Sequence, residues 1–236
     1  MIHNLTLLAQ KAYGSGLPRY TDFLSVSELE VYARLERELS FASPRAFGGY
    51  EGAERKIIGF FAEEFPIVCL NIEPVNRKFS DELSHRDFLG SVLNLGLERS
   101  VIGDILVHGN TGYLFCLSRM AGFLCENLTS VSRTSVKVSV WEGETAFLVK
   151  KERVTVSVSS LRADCVVSAV LHLSRGDAEC LAKCGLVLVN GRVAEGDRRV
   201  KEGDVFAVRG KGKFVFLREE GKSRKDRQFI TVEIYR

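Results

Sequence analysis

No apolar run in this chain reaches the ~18 residues that a membrane-spanning helix needs. The first eleven residues, from Met1 to Lys11, carry no basic region ahead of their short apolar patch and no cleavage site, so no signal peptide is read there. No stretch is low-complexity, and no repeat recurs at a solenoid period. The six cysteines, Cys69, Cys116, Cys125, Cys165, Cys180 and Cys184, lack the two close pairs of a zinc ribbon. Cys180 and Cys184 with His172 come nearest to a metal or redox site, but no second pair completes a tetrahedral set. The cysteines read instead as reduced, buried small hydrophobes. No metal and no cofactor is expected.

Net charge is also small, +3 over 236 residues, but it is unevenly placed. Residues 1–150 hold 15 Lys/Arg against 18 Asp/Glu, and residues 151–236 hold 18 against 12, so a mildly acidic body carries a basic C-terminal third. That asymmetry points to a polyanion partner at the C-terminal end, with an ordinary solvated surface as the alternative. Apolar residues make up 45% and charged residues 27%, which places the chain among globular proteins.

Residues 1–65 read as mostly helical, with an amphipathic helix over Ser27–Leu39. Phe47-Gly-Gly-Tyr-Glu-Gly-Ala-Glu-Arg55 follows. Its glycines could let the backbone approach a phosphate, although a plain turn is the favoured reading. From Pro66 the elements alternate: a strand at Ile67–Ile72, a helix begun by the capping pair Ser84 and Asp87, strands at Asp104–Val107 and Tyr113–Leu117, a helix near Arg119–Asn127, and a strand at Ser135–Val140. Asp104 sits at a strand start, where a structural role is favoured. The order β-α-β-β-α-β over residues 66–145 is the ferredoxin-like plan, which RNA-recognition-motif (RRM) domains share. Such domains stack bases on aromatics of the two central strands. Tyr113 and Phe115 share one face of one central strand and are the candidates for base stacking, while the strand at 67–72 has no aromatic. The platform is therefore halved or absent.

An extended run over 141–159 leads into the most distinctive stretch, Ser160 to Gly191. Ser160 reads as the N-cap of a helix over Leu161–His172. Ser174, with Asp177 three residues on, caps a second helix that Gly185 ends. Leu186–Val189 is a strand, and Asn190-Gly191 favours a type I′ turn. Strands then follow around Val205–Arg209, Lys213–Leu217 and Phe229–Tyr235, the last after a charged loop from Glu219 to Arg227. Arg162 and Arg175 lie in the first turns of their helices, against the dipole. Phosphate binding at a helix start is a reason to tolerate that placement. Lys183, Arg192, Arg209, Lys211 and Lys213 extend the basic face. Surface salt bridges, with Asp164 and Asp177 as partners, are the alternative.

Residues 158–210 resemble the S4 RNA-binding domain (αL-type), with Ser174-Arg175 and Val189-Asn190-Gly191 as its most recognisable steps. Phe47–Arg55, Ser84–Gly90, Ile102–Ile105 and Arg133–Lys137 extend the resemblance to the YlmH family of bacterial S4 proteins over nearly the whole chain. The resemblance implies an α+β protein: an N-terminal α-rich segment (1–65), a central RRM-like domain (66–145) and a C-terminal S4 domain (157–236). Helix-start placement, the basic face and the matched motif steps together give the expected RNA contacts: Arg162, Ser174, Arg175, Lys183, Asn190, Arg192, Arg209, Lys211 and Lys213. The implied setting is cytoplasmic, with rRNA and tRNA bound on the large ribosomal subunit in the rescue of stalled nascent chains. Two departures stand out. Leu186 and Leu188 occupy positions that are often basic in the family, and Ala163 replaces a leucine between Arg162 and Asp164. An S4-linked pseudouridine synthase is the competing reading. It would need a large catalytic domain, normally after the S4 module, and Asp104 is the only tempting acid. A non-enzymatic protein is expected, and the oligomeric state is not legible.

Overall fold

A computed structural model describes residues 2–145, 151–222 and 227–235. Parts of the extended run at 141–159 and of the charged loop at 219–227 fall outside those residues. The chain is mixed α/β and forms two compact units, Met1–Leu148 and Val149–Arg236. Among the described residues no helix is long and apolar enough to cross a membrane.

The first unit begins with α1 (Ile2–Ser15), β1 (Arg19–Tyr20), α2 (Val26–Leu35), β2 (Pro44–Phe47) and β3 (Ile57–Phe60). Leu5, Ala9 and Ala12 recur at helical spacing and bury one stripe of α1 against Tyr32, Leu39, Ile58 and Phe60. Ser25 and Glu28 close a capping box on α2, with the Glu28 carboxylate accepting from the Ser25 N–H at 2.8 Å. The region is not mostly helical as expected: it also holds a three-stranded sheet in the order β1-β3-β2. Those strands are two to four residues long, too short for an alternating pattern, and β3 is apolar throughout because both of its faces are covered.

Then come β4 (Ile67–Pro74), α3 (His85–Leu93), β5 (Ile102–His108), β6 (Thr111–Leu117), α4 (Ala121–Asn127), β7 (Ser130–Val131) and β8 (Thr134–Val140). They build a five-stranded antiparallel sheet in the order β5-β6-β4-β8-β7. The Asp87 carboxylate accepts from the Ser84 N–H at 2.8 Å and fixes the start of α3 as the sequence implied. Leu70, Ile72, Leu114, Cys116, Val136 and Val138 on the sheet meet Phe88 and Val92 of α3 and Leu124 of α4, so the helices cover one face. The period of two along each strand sends Asn71, Tyr113 and Ser139 to the other face, where Asn71 lies between Tyr113 and Ser139 in register.

The second unit contains β9 (Lys151–Val158), α5 (Ala163–Val170), α6 (Arg175–Lys183), β10 (Val187–Val189), β11 (Arg192–Val193), β12 (Val205–Val208), β13 (Gly212–Lys222) and β14 (Gln228–Tyr235). Its six-stranded sheet runs β11-β10-β12-β13-β14-β9. Strand β9 pairs with β14 along its full length, from Lys151↔Tyr235 to Val158↔Gln228, so this unit begins upstream of the expected start at residue 157. Val166, Val167 and Val170 of α5 and Ala178 and Ala182 of α6 pack on Phe206, Phe214, Phe216, Ile230 and Val232. The Phe206 and Phe214 rings stack at 4.6 Å.

Candidate nucleic-acid interface

The start of α6 follows from its sequence. Ser174 is the N-cap, and its hydroxyl accepts from the Asp177 N–H at 3.1 Å and donates to the Asp177 carboxylate at 2.6 Å. Gly185 takes φ +68°, and the Leu186 N–H reaches back to the Leu181 carbonyl at 2.9 Å, which closes the helix end. Ser174 fixes Arg175 at the first helical position. The Arg175 side chain is exposed, donates to the Ser159 hydroxyl at the end of β9, and forms no ion pair among the described residues.

The start of α5 differs from expectation. Arg162, not Ser160, occupies the N-cap position, and the helix begins at Ala163. The Leu161 carbonyl instead accepts from the Val200 N–H at 2.9 Å, which holds the chain extended past Ser160. The Arg162 guanidinium grips the Asp164 carboxylate with two hydrogen bonds, of 2.7 and 3.1 Å. Arg162 therefore realises the salt-bridge alternative, whereas Arg175 does not. A cleft of about 680 Å³ brings Arg162 and Lys183 together with Glu179, Glu195 and Asp197. Within it Lys183 pairs with Glu179 at 2.7 Å.

The remaining basic candidates are dispersed. Arg192 is exposed on the edge strand β11, and Arg209 and Lys211 are exposed where β12 turns into β13. Lys213 sits 5.5 Å from the centre of the Tyr235 ring. Asn190 shapes a turn: it adopts φ +53° between β10 and β11, donates to Asp204 at 2.8 Å and accepts from the Val205 N–H at 2.9 Å. Leu188 is 1% exposed, on the face of β10 opposite Val187 and Val189. Sequence reading missed Arg199, which lies opposite Arg162 in an isolated bridge, and Arg227, which donates to the Ser157 hydroxyl at 2.8 Å. Only the tertiary pairing brings those two to the site, so no local signal marked them.

In the first unit the stacking pair separates. Phe115 is 1% exposed beneath Tyr50, with ring centres 4.8 Å apart, and no base can reach its faces. The expectation for Phe115 is corrected on that ground. A Cβ on Gly49 would lie 2.4 Å from the Phe115 ring, and one on Gly103 would lie 2.8 Å from Phe23. The glycines of the 47–55 segment therefore permit close packing on the sheet; a plain turn, the favoured reading, becomes a turn that also covers Phe115.

Asp104 holds that cover in place. Its carboxylate accepts from the Tyr50 hydroxyl (2.8 Å), the Glu54 N–H (2.7 Å) and the Arg55 N–H (3.1 Å). The Arg55 guanidinium donates to the Ile102, Phe23 and Arg99 carbonyls, and Arg99 donates to Ile102 and Gly103. Burial pushes both guanidinium pKa values down, with Asp104 opposing the shift. Burial, and then the Asp104 charge, push the Tyr50 phenol well above its ordinary value. These groups join segments about 50 residues apart.

The cysteines divide too: Cys69 and Cys116 are buried as expected, but Cys180 on α6 and Cys184 just past its end are exposed. Among the described residues no group of three His, Cys, Asp or Glu side chains is arranged to hold a metal.

Residues 61–144 match the family model described as "Putative RNA-binding domain in YlmH". Over 225 residues the chain is 30% identical to the Bacillus subtilis (strain 168) "Ribosome-associated protein quality control protein P2", covering 91% of this chain and 86% of that protein. The chain belongs to the YlmH family. A solved member of the family, "Cell division protein ylmH from Streptococcus pneumoniae", aligns over 59% of this chain and 88% of its own, at 19% identity and a TM-score of 0.46. The family-model match covers β4 to β8, and the Asp104-anchored cover begins upstream of it.

Proposed function

We propose that this chain is a non-enzymatic RNA-binding protein of the ribosome. In this reading it is cytoplasmic and acts on the large subunit, contacting rRNA and tRNA in the rescue of stalled nascent chains. The second unit is read as an S4-type domain and the first as carrying an RRM-like domain. The strand order β5-β6-β4-β8, with helices on one face only, supports the latter. The single observation that carries the RNA reading is Arg175, an exposed guanidinium without an acidic partner among the described residues, held at a helix start by the Ser174 cap. The kinship with a ribosome-associated quality-control protein supports the ribosomal setting.

Arg162, Ser174, Arg199 and Arg227 are placed around Arg175 in this proposal. Lys183, Arg192, Arg209, Lys211 and Lys213 serve as outlying phosphate contacts. Asn190 acts indirectly, by shaping the turn before Arg192. Asp104, the acid on which a modifying enzyme would depend, accepts three hydrogen bonds from Tyr50, Glu54 and Arg55, which supports a structural role for it. Co-sedimentation with ribosomes tests the proposal. The Arg175→Ala chain is expected to lose most of its ribosome association, and full retention would place the RNA elsewhere.

A further inference from the structure

The exposed half of the central sheet carries a second arrangement. With Phe115 covered, Tyr113 still has two aromatic neighbours: the Trp141 ring centre lies 5.1 Å away at 79° and the His108 ring 5.5 Å away at 70°. Trp141 reaches this face because its backbone N–H donates to the Cys69 carbonyl at 2.8 Å, which extends the β8 pairing by one step alongside β4. Gly143 lets the chain fold tightly against the indole, since a Cβ there would lie 2.4 Å from the ring. The second ring of the platform thus comes from the segment after β8, not from β4.

Two polar atoms in this cluster are buried and have no hydrogen-bond partner: the Asn71 Oδ1 acceptor and the Trp141 Nε1 donor. Buried polar atoms are normally paired, and an unpaired one is destabilising. An acceptor and a donor beside aromatic rings match what a nucleobase supplies, a flat face and an edge bearing both donor and acceptor groups. Exposed Lys137 lies along the same face in register with Glu73, which Arg77 engages at 3.1 Å.

We propose that Asn71, His108, Tyr113 and Trp141 bind one unpaired RNA base: the Trp141 ring moves off Tyr113, the base stacks on the ring so exposed, and Asn71 and the indole N–H, buried until then, read its edge. This rests on the RNA-binding reading above and adds a single-strand site in the first unit.

Trp141 is the only tryptophan in the chain, so its fluorescence reports this site alone. The full chain is titrated with a short unstructured oligo(A) or oligo(U), with binding followed by anisotropy of the labelled RNA. Tryptophan fluorescence is expected to quench in step with binding. Tyr113→Leu and Asn71→Leu should weaken binding on the order of tenfold. Asn71→Leu should also raise the melting temperature, because it removes an unpaired buried acceptor; a residue with a merely structural role would lower it. Binding with unchanged fluorescence, and at wild-type affinity in both variants, overturns this site and leaves the RNA-binding reading standing. Failure of the wild-type chain to bind either these oligonucleotides or ribosomes overturns both.

Discussion

In the first unit, Arg55 and Arg99 are half-buried and aim their guanidinium groups at backbone carbonyls around Asp104. In the second, Arg162 and Arg175 stand exposed at helix starts. The side chain is the same and its use is opposite. Five fixed donors satisfy several carbonyls at once where a segment must be locked onto a sheet, and match phosphate where the fork is left in water. Net charge separates the two regions less sharply than burial does. In the proposed interface the criterion is exposure at a capped helix start without an acidic partner among the described residues, and by that measure Arg175 ranks ahead of Arg162, whose fork Asp164 already occupies.

Substitutions in the two regions should therefore have opposite effects. The largest stability loss is expected for Asp104→Ala, which strands the Tyr50 hydroxyl and two backbone N–H groups. A cost of about 3–5 kcal/mol follows from losing several hydrogen bonds to one charged group. Urea unfolding followed by Trp141 fluorescence, which reports the first unit alone, measures it. Gly49→Ala comes next. Its φ of +100° and the Phe115 ring 2.4 Å from the new Cβ combine backbone strain with overpacking, for a loss of about 2–4 kcal/mol by the same assay.

A smaller effect is expected with pH. Hydrogen bonds from Ser25, backbone and then side chain, hold the Glu28 carboxyl below its usual 4.5. A depressed folded-state pKa means that the cap's contribution is fully present above pH 4.5 and is lost as pH falls through the folded value. Glu28→Gln should remove about 0.5–1 kcal/mol of stability at neutral pH and flatten the acid limb of the unfolding curve. An unchanged slope would contradict that role. The smallest effect on stability belongs to Arg175→Ala, which should stay within about 0.5 kcal/mol of wild type in thermal melts. A substantial loss there would erase the contrast between the two regions.

What was legible in the sequence was local. The Ser174 cap, the Gly185 helix end, the Asn190-Gly191 turn and the Ser84–Asp87 pair each depend on residues within a few positions, and each stands where the pattern placed it. Ser160 misled because a serine before an apolar helix is a good cap only if the backbone turns there, and the contact with Val200 keeps it extended. Phe115 misled for a similar reason. Strand alternation gives the face of the sheet, but not what another segment lays over that face. Tyr50 comes from 65 positions upstream, and the Asp104 bonds that position it span 49 to 54 residues. Arg199 and Arg227 escaped notice because long-range pairing alone brings them to the start of α5 and the end of β9.

The central claim is that the exposed arginines of the second unit bind RNA through phosphate, and the salt dependence of binding tests it most directly. With roughly 4–6 phosphates engaged, the log–log slope of ribosomal RNA affinity against salt should be about −3 to −4 for the wild-type chain, and shallower by about 0.7 for Arg175→Ala with its melting temperature unchanged. An affinity indifferent to salt, or a slope that Arg175→Ala leaves untouched, would contradict it.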